Sequence, residues 1–124
     1  MNTRVLSIAV LLILVASAFC KVVDLNESNF DAEVAKCDVS LVTFFAPWCG
    51  HCKRWHEPYE ELSTRFADDN KICAFLVDVT ENRELSGRYG IRGIPTIIAF
   101  HGDSNTKYEG ARTPDAVYDW VTKL

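Results

Sequence analysis

The chain has 124 residues, which leaves room for one domain with a packed core. Its composition, 48% hydrophobic and 24% charged, is that of an ordinary globular protein. The net charge of -4 at pH 7 gives no electrostatic reason to expect nucleic acid or an anionic membrane as a partner.

The N-terminal stretch has the pattern of a secretory signal peptide. Arg4 gives it a positive start, residues 5–16 are almost wholly apolar, and small residues follow at 16–18. We therefore assign residues 1–20 to a signal peptide and expect no stable membrane span, because the apolar run is short for a bilayer. A retained signal anchor is the alternative.

Signal cleavage fits two positions, after Ala18 or after Cys20, and the mature domain is then taken as residues 21–124. A secretory route leads to compartments where disulfides persist. The chain ends Val-Thr-Lys-Leu, which is not a Lys-Asp-Glu-Leu retrieval signal. We expect residence in the endoplasmic reticulum lumen, with secretion as the alternative.

Strand-like and helix-like segments alternate through the rest of the chain. Strands are predicted at 22–25, 41–46, 72–79, 96–100 and 107–109, with turn residues at 102–105. Helices are predicted at 26–35, from 50 to about 66, at 80–89 and from 114 onward. This order, βαβαβαββα, predicts an α/β protein with a mixed sheet and helices on both faces.

Helix ends are predicted from capping residues. Asn26 or Ser28 is expected to cap the first helix, Thr80 the third, and Thr113 the last, which Pro114 opens. The second helix has a regular apolar face that predicts packing on the sheet. That face consists of Trp55, Tyr59, Leu62 and Phe66.

Cys49 and Cys52 form a Cys-x-x-Cys pair where a buried strand gives way to a helix. At a helix start, the first sulfur lies near the positive end of the peptide dipole, which favours the attacking thiolate. We expect Cys49 to be exposed at the helix tip and to attack, and Cys52 to lie deeper and to resolve the mixed disulfide. His51 adds positive charge when protonated, which makes the disulfide a better oxidant.

A zinc site is the competing interpretation of the same segment, since Cys49, Cys52 and His56 have ligand-like spacing. A convincing fourth ligand is missing, because His101 follows a later strand. We expect neither a metal nor another cofactor.

Three segments carry a resemblance to a known family. Residues 46–53, Ala-Pro-Trp-Cys-Gly-His-Cys-Lys, resemble the active site of protein disulfide isomerase, within the thioredoxin superfamily. Residues 89–96 resemble the segment that leads to that family's cis-proline, and residues 108–112 its late strand and following arginine. The match runs from about 22 to 124. It implies one catalytic domain with the thioredoxin fold, a mixed central sheet of about five strands flanked by four helices.

The resemblance also implies the site residues. The catalytic set would be Cys49, Gly50, His51, Cys52 and Arg112, with Cys49 and Cys52 as the redox-active disulfide, and the substrate-binding set would be Trp48, Ile94 and Pro95. Pro95 would follow a cis bond beside the cysteines, and Ile94 would offer its backbone to an extended substrate. Arg112 would be the mobile arginine that lowers the pKa of the resolving cysteine. Core packing for Trp48 and a plain surface role for Arg112 are the alternatives.

Three positions depart from the family pattern, and one of them, Pro58, only shifts the family's helix proline by one residue. The buried acid six residues before the first active-site cysteine is replaced by Thr43, and its lysine partner by Leu76. Their joint loss is physically consistent, since either charge alone would be buried and unpaired. Because the acid is held to relay a proton for the resolving cysteine, we expect slow release of mixed disulfides.

Cys37 and Cys73 match no family role, and we expect them to be buried free thiols. A Cys37–Cys73 disulfide, or a purely structural framework of two disulfides, is the alternative.

The sequence therefore predicts a thiol–disulfide oxidoreductase that oxidises and isomerises disulfides of unfolded or misoxidised client proteins in the secretory pathway. A recycling oxidase or glutathione is the expected redox partner. A thioredoxin-type reductase and a mainly client-binding chaperone module are the competing hypotheses.

Overall fold

The computed structural model describes residues 22–67 and 71–124. The predicted signal peptide, with both candidate cleavage positions and Cys20, lies outside the described residues.

The described chain forms nine elements in the predicted order. The strands are β1 (Val23–Leu25), β2 (Val39–Phe45), β3 (Ile72–Asp78), β4 (Thr96–His101) and β5 (Ser104–Lys107). The helices are α1 (Phe30–Val34), α2 (Gly50–Thr64), α3 (Arg83–Arg88) and α4 (Pro114–Val121). No helix of the described chain is long and apolar enough to cross a bilayer.

The five strands form one mixed sheet in the order β1-β3-β2-β4-β5. Strand β3 runs parallel to both β1 and β2, whereas β4 runs antiparallel to β2 and to β5. The predicted thioredoxin fold, five strands in a mixed sheet with four helices, is confirmed.

Apolar layers cover both faces of the central strand β2, as its continuous apolar run predicts. Leu41 packs with Trp55, Tyr59 and Leu62 of α2 on one face. Val42 and Phe44 lie on the other face. That second layer is completed by Phe30 of α1 and Leu85 of α3. The sheet is therefore buried on both sides, and β2 leads directly from the core to the start of α2.

Two helices begin later than predicted. Asn26 Oδ1 accepts bonds from the N–H groups of Ser28 and Asn29, so it stabilises a turn, and α1 begins after Asn29. Thr80 donates its N–H to Asp78 Oδ1 in another turn, and α3 begins after Asn82 instead. The last helix begins as predicted.

The cap of that last helix matches the sequence prediction. Thr113 accepts a hydrogen bond from the N–H of Ala116, and Pro114 occupies the first turn. The hairpin before it is tighter than predicted: Gly102, at a left-handed φ of 59°, turns the chain so sharply that β5 starts at Ser104 rather than 107.

The expectation of free thiols at Cys37 and Cys73 is wrong, because the two form a disulfide with a Cα–Cα distance of 6.1 Å. The parallel register of β2 and β3 pairs Ser40 with Cys73, which brings the segment before β2 alongside the start of β3. The bond therefore links two neighbouring strands at their N-terminal ends.

Candidate active site

Cys49 is the N-cap of α2. Its extended backbone (φ -81°, ψ 120°) turns the chain from β2 into the helix, and its N–H donates to the Ala46 carbonyl at 3.2 Å. Its Sγ accepts a hydrogen bond from the N–H of Cys52 at 3.3 Å. The sulfur thus does what a Ser or Asp oxygen does at a helix start, and it lies where negative charge is favoured.

Neither active-site cysteine is open to solvent, and Cys52 is the more deeply buried of the two, as predicted. Cys49 is 8% exposed and Cys52 6%, and both are free thiols. The prediction that Cys49 projects from the helix tip is therefore wrong. The reason is the segment before Pro95: the Ile94 carbonyl lies 3.8 Å from Cys49 Sγ, and Ile94 packs against both cysteines and Ala46.

The surroundings lower the pKa of the Cys49 thiol below its usual value. The largest cause is the hydrogen bond from the Cys52 side chain, which stabilises the thiolate. Backbone N–H groups of Cys52 and His51 and the charge of Arg112 act in the same direction, while burial opposes them. Cys49 is thus the thiol of the pair that ionises first.

Cys52 is shifted in the opposite direction. Burial raises its pKa to about 11, and the hydrogen bond to Cys49 raises it further. A backbone hydrogen bond involving Ala46 and the charge of Arg112 act against the shift. Cys52 is therefore the thiol of the pair that keeps its proton at neutral pH.

The expected substrate-binding residues lie around this pair. The Ile94–Pro95 peptide bond is cis, as the resemblance implied. Trp48 is 72% exposed directly before Cys49, which rules out the alternative of core packing for this side chain. An open apolar ring thus directly precedes Cys49 in the chain, and the segment at Ile94 packs against the Cys49 sulfur.

Arg54 is the site residue that sequence reasoning missed. Its guanidinium Nη2 lies 2.8 Å from His51 Nδ1, and because arginine only donates, that nitrogen accepts. The fixed positive charge on this side of α2 is thus carried by Arg54 in addition to any charge on the imidazole. The i,i+3 spacing of His51 and Arg54 was the available sequence signal.

Two further residues of the predicted catalytic set are Gly50 and Arg112. Gly50 opens α2, and a Cβ there would meet nothing within 4 Å, so space does not require glycine. Arg112 is exposed and lines a small pocket with His51 and Arg54.

The zinc interpretation receives no support from the placement of His56. Its Nε2 pairs with Glu60 at 3.1 Å, one helical turn further along α2. Within residues 22–67 and 71–124, no group of three His, Cys, Asp or Glu side chains is placed to hold a metal ion.

The replaced charged pair lies in the core beside the site. Thr43 and Leu76 are both buried and face each other as partners in the β2–β3 register. Thr43 Oγ1 accepts a hydrogen bond from Trp55 Nε1 at 3.2 Å. A neutral hydroxyl and a leucine thus occupy the place of an acid and a base, with the hydroxyl satisfied.

The sequence is similar to a family model and to several known proteins. A thioredoxin family model matches residues 21–123. Protein disulfide-isomerase 1 of Caenorhabditis elegans is 38% identical over 125 residues, covering 95% of this chain and 26% of the relative. Human protein disulfide-isomerase A6 is 41% identical over 101 residues, covering 79% of this chain and 22% of the relative.

Solved structures of related domains are also similar to this chain. The first thioredoxin domain of mouse protein disulfide-isomerase A4 is similar at a TM-score of 0.74 and 35% identity, covering 81% of this chain and 72% of that one. The chain spans about a quarter of the length of the curated relatives it matches.

Proposed function

The chain belongs to the thioredoxin family, and we propose from this premise that it is a thiol–disulfide oxidoreductase of the protein disulfide-isomerase kind. It oxidises and isomerises disulfides of client proteins in the secretory pathway. The observation that carries the proposal is the pair of free thiols at the start of α2, where Cys49 Sγ accepts the N–H of Cys52 at 3.3 Å. The pKa of Cys49 is lowered and that of Cys52 is raised to about 11, in keeping with this geometry.

Oxidation of a client starts from the Cys49–Cys52 disulfide. A client thiolate attacks Cys49 Sγ, which forms a mixed disulfide and releases Cys52, protonated to the thiol. The second client thiolate then attacks the client sulfur of the mixed disulfide, so a client disulfide forms and Cys49 leaves as the thiolate. Because its pKa is lowered, Cys49 is a good leaving group.

Isomerisation starts from the reduced pair. The Cys49 thiolate attacks a wrong client disulfide, which releases one client thiolate. Another client thiolate attacks the client sulfur bound to Cys49 and forms a new disulfide, returning Cys49 as thiolate. When no client thiolate attacks the mixed disulfide, Cys52 attacks Cys49 Sγ. The Cys49–Cys52 disulfide then forms and the client leaves as a reduced thiolate.

Client binding is assigned to Trp48, Ile94 and Pro95. An extended client segment lies along the backbone at Ile94, whose carbonyl is already 3.8 Å from Cys49 Sγ. The exposed ring of Trp48 supplies apolar contact on the other side. Arg112 supplies positive charge near the thiolate.

We place the reaction in the endoplasmic reticulum lumen, with a recycling oxidase or glutathione restoring the disulfide. The signal-peptide pattern of residues 1–20 supports this setting. The Cys37–Cys73 disulfide also supports it, because such bonds persist in oxidising compartments.

Recovery of activity from a scrambled disulfide-containing protein tests the proposal. The reduced chain restores the native pairing in a glutathione buffer, and Cys49→Ser abolishes that rescue. The matched control is Cys37→Ala with Cys73→Ala, which removes the other two cysteines of the described chain. Equal rescue by Cys49→Ser would overturn the proposal.

A client-binding chaperone module is the second candidate, favoured by the 72% exposure of Trp48. Cys49→Ser with Cys52→Ser separates the two functions. A pure binder keeps its full suppression of client aggregation and never had isomerase activity, whereas an enzyme loses the rescue of scrambled clients.

A further inference from the structure

A small basic pocket lies beside the cysteine pair. It has a volume of about 220 Å³ and is lined by His51, Arg54, Trp55 and Arg112. We call these four residues the basic pocket. Trp55 is buried and forms its inner wall, while the two arginines and the histidine are exposed around its mouth. No acidic side chain of the described chain lines it.

Two arginines of the described chain are paired with carboxylates, whereas the two arginines of the basic pocket are not. Arg65 pairs with Asp115 at 2.7 Å, and Arg88 pairs with Asp31 at 2.9 Å. In residues 22–67 and 71–124, neither Arg54 nor Arg112 forms an ion pair, so their charge is uncompensated in a protein of net charge -4. Their guanidinium groups have donors left for a ligand.

Arg54 is held in position by its own contact. The bond from Nη2 to His51 Nδ1, at 2.8 Å, uses one of five donors and fixes the plane of the guanidinium next to the imidazole. Such a fixed, planar group binds a carboxylate with less loss of side-chain freedom than a flexible lysine does.

The basic pocket adjoins the active-site segment, because His51, which lines it, stands between Cys49 and Cys52 in the chain. The positive charge of Arg112 acts on both Cys49 and Cys52 and lowers the pKa of each. A ligand group in the pocket thus contacts a residue of the Cys-x-x-Cys segment, where the substrate sulfur reacts.

We propose that the basic pocket is a carboxylate-binding subsite that selects thiol and disulfide substrates with an acidic group near the reacting sulfur. The inference rests on the proposed function and names its preferred substrate class. Guanidinium groups match carboxylates in a two-bond geometry, and a basic residue at the same place is repelled. The carboxylate comes from an acidic client residue or from glutathione.

Matched peptides test the subsite. Each peptide carries one cysteine linked to a thiopyridyl group, flanked by Glu, Gln or Lys. The Cys49 thiolate attacks the peptide sulfur, the mixed disulfide forms, and pyridinethione leaves with the bonding electrons and is measured by its absorbance. The readout is the ratio of second-order rate constants between the Glu and Gln peptides, since that ratio cancels changes in thiol reactivity.

We expect the parent chain to prefer the Glu peptide over the Gln peptide by about three- to fivefold, the upper part of the range of an exposed ion pair. The Lys peptide reacts more slowly than either. Arg54→Gln brings the Glu-to-Gln ratio close to one. The control, Lys53→Gln, removes the same charge from an exposed neighbour that does not line the pocket, and it keeps the preference.

Two results overturn the inference: equal rates for the Glu and Gln peptides, or a preference that Lys53→Gln removes as fully as Arg54→Gln does. Failure of every peptide to react would instead contradict the proposed function. A second arm compares glutathione carrying the thiopyridyl group with its ester. If glutathione reacts faster than its ester and Arg54→Gln removes the difference, glutathione is a source of the carboxylate. If the Arg54-dependent preference is confined to the peptides, the carboxylate comes from client residues.

Discussion

The two active-site sulfurs share an environment and differ in ionisation. Both are buried against Ile94 and Ala46, so burial alone would raise the pKa of each. The difference arises because Cys49 accepts hydrogen bonds at the start of α2, whereas burial acts most strongly on Cys52, which also donates a hydrogen bond. Position in the helix therefore decides which sulfur attacks.

The pH dependence of alkylation tests this asymmetry. In the reduced protein, the rate at which iodoacetamide modifies Cys49 rises with pH and levels off below the pH at which an unfolded cysteine does, because its thiolate is stabilised. Cys52 stays protonated until the pH approaches its pKa of about 11. Mass spectrometry of the alkylated peptides follows the two sites separately.

Variants identify the causes of that shift. Cys52→Ala removes the largest of them and moves the Cys49 inflection to higher pH, and Arg112→Gln moves it in the same direction. An inflection for the parent at or above that of the unfolded chain would contradict the assignment of Cys49 as the attacking thiol.

At the scale of elements, the register of β2 and β3 pairs two uncharged side chains in the core, and this affects the step in which Cys52 resolves the mixed disulfide. Thr43 and Leu76 are direct partners in that register, and neither side chain titrates. Removal of the proton from Cys52, whose pKa is about 11, thus lacks a buried base in these two positions. Mixed disulfides with clients are expected to be long-lived for this reason.

Restoring charge at these positions tests the expectation. Thr43→Glu combined with Leu76→Lys places an acid and a base side by side, and we expect the mixed-disulfide lifetime to fall by about a hundredfold, the low end of general-base effects. Acid-quenched samples resolved on a nonreducing gel give the lifetime. The uncharged control, Thr43→Gln with Leu76→Met, keeps the parent lifetime; no change in the charged variant would refute the role.

The elements also show why sequence reasoning succeeds in some places and fails in others. The cap at Thr113 depends on a contact three residues away, so it was predictable. The start of α3 was not, because Asn82 Oδ1 accepts from the N–H of Glu27, 55 residues earlier. The burial of Cys49 was missed for the same kind of reason, since the covering carbonyl belongs to Ile94.

At the scale of the whole molecule, the two cysteine pairs lie at opposite ends of the parallel strands. Cys49 follows the C-terminal end of β2, while Cys37 and Cys73 lie at the N-terminal ends of β2 and β3. The Cys37–Cys73 bond is thus separated from the redox site by the length of the strands. The sequence did not predict this pairing, because it depends on the β2–β3 register.

Loss of the Cys37–Cys73 disulfide should destabilise the domain. The bond closes a loop across a sequence separation of 36 residues. Chain-entropy estimates for such a loop correspond to about 3 to 4 kcal/mol of unfolding free energy. In a Cys49→Ser/Cys52→Ser background, urea unfolding with and without dithiothreitol measures the difference.

The same background with Cys37→Ala and Cys73→Ala is the control, and it shows no response to dithiothreitol. An unfolding free energy that dithiothreitol leaves unchanged while Cys37 and Cys73 are present would show that the bond contributes nothing to stability.

The most direct test of the oxidising and isomerising function is the equilibrium redox potential of the Cys49/Cys52 pair, measured against glutathione by mass spectrometry of trapped thiols. A stabilised Cys49 thiolate favours the reduced pair, so we predict a value near that of protein disulfide isomerase, about -180 mV. A value near that of thioredoxin, about -270 mV, would contradict the assignment and identify the chain as a reductase.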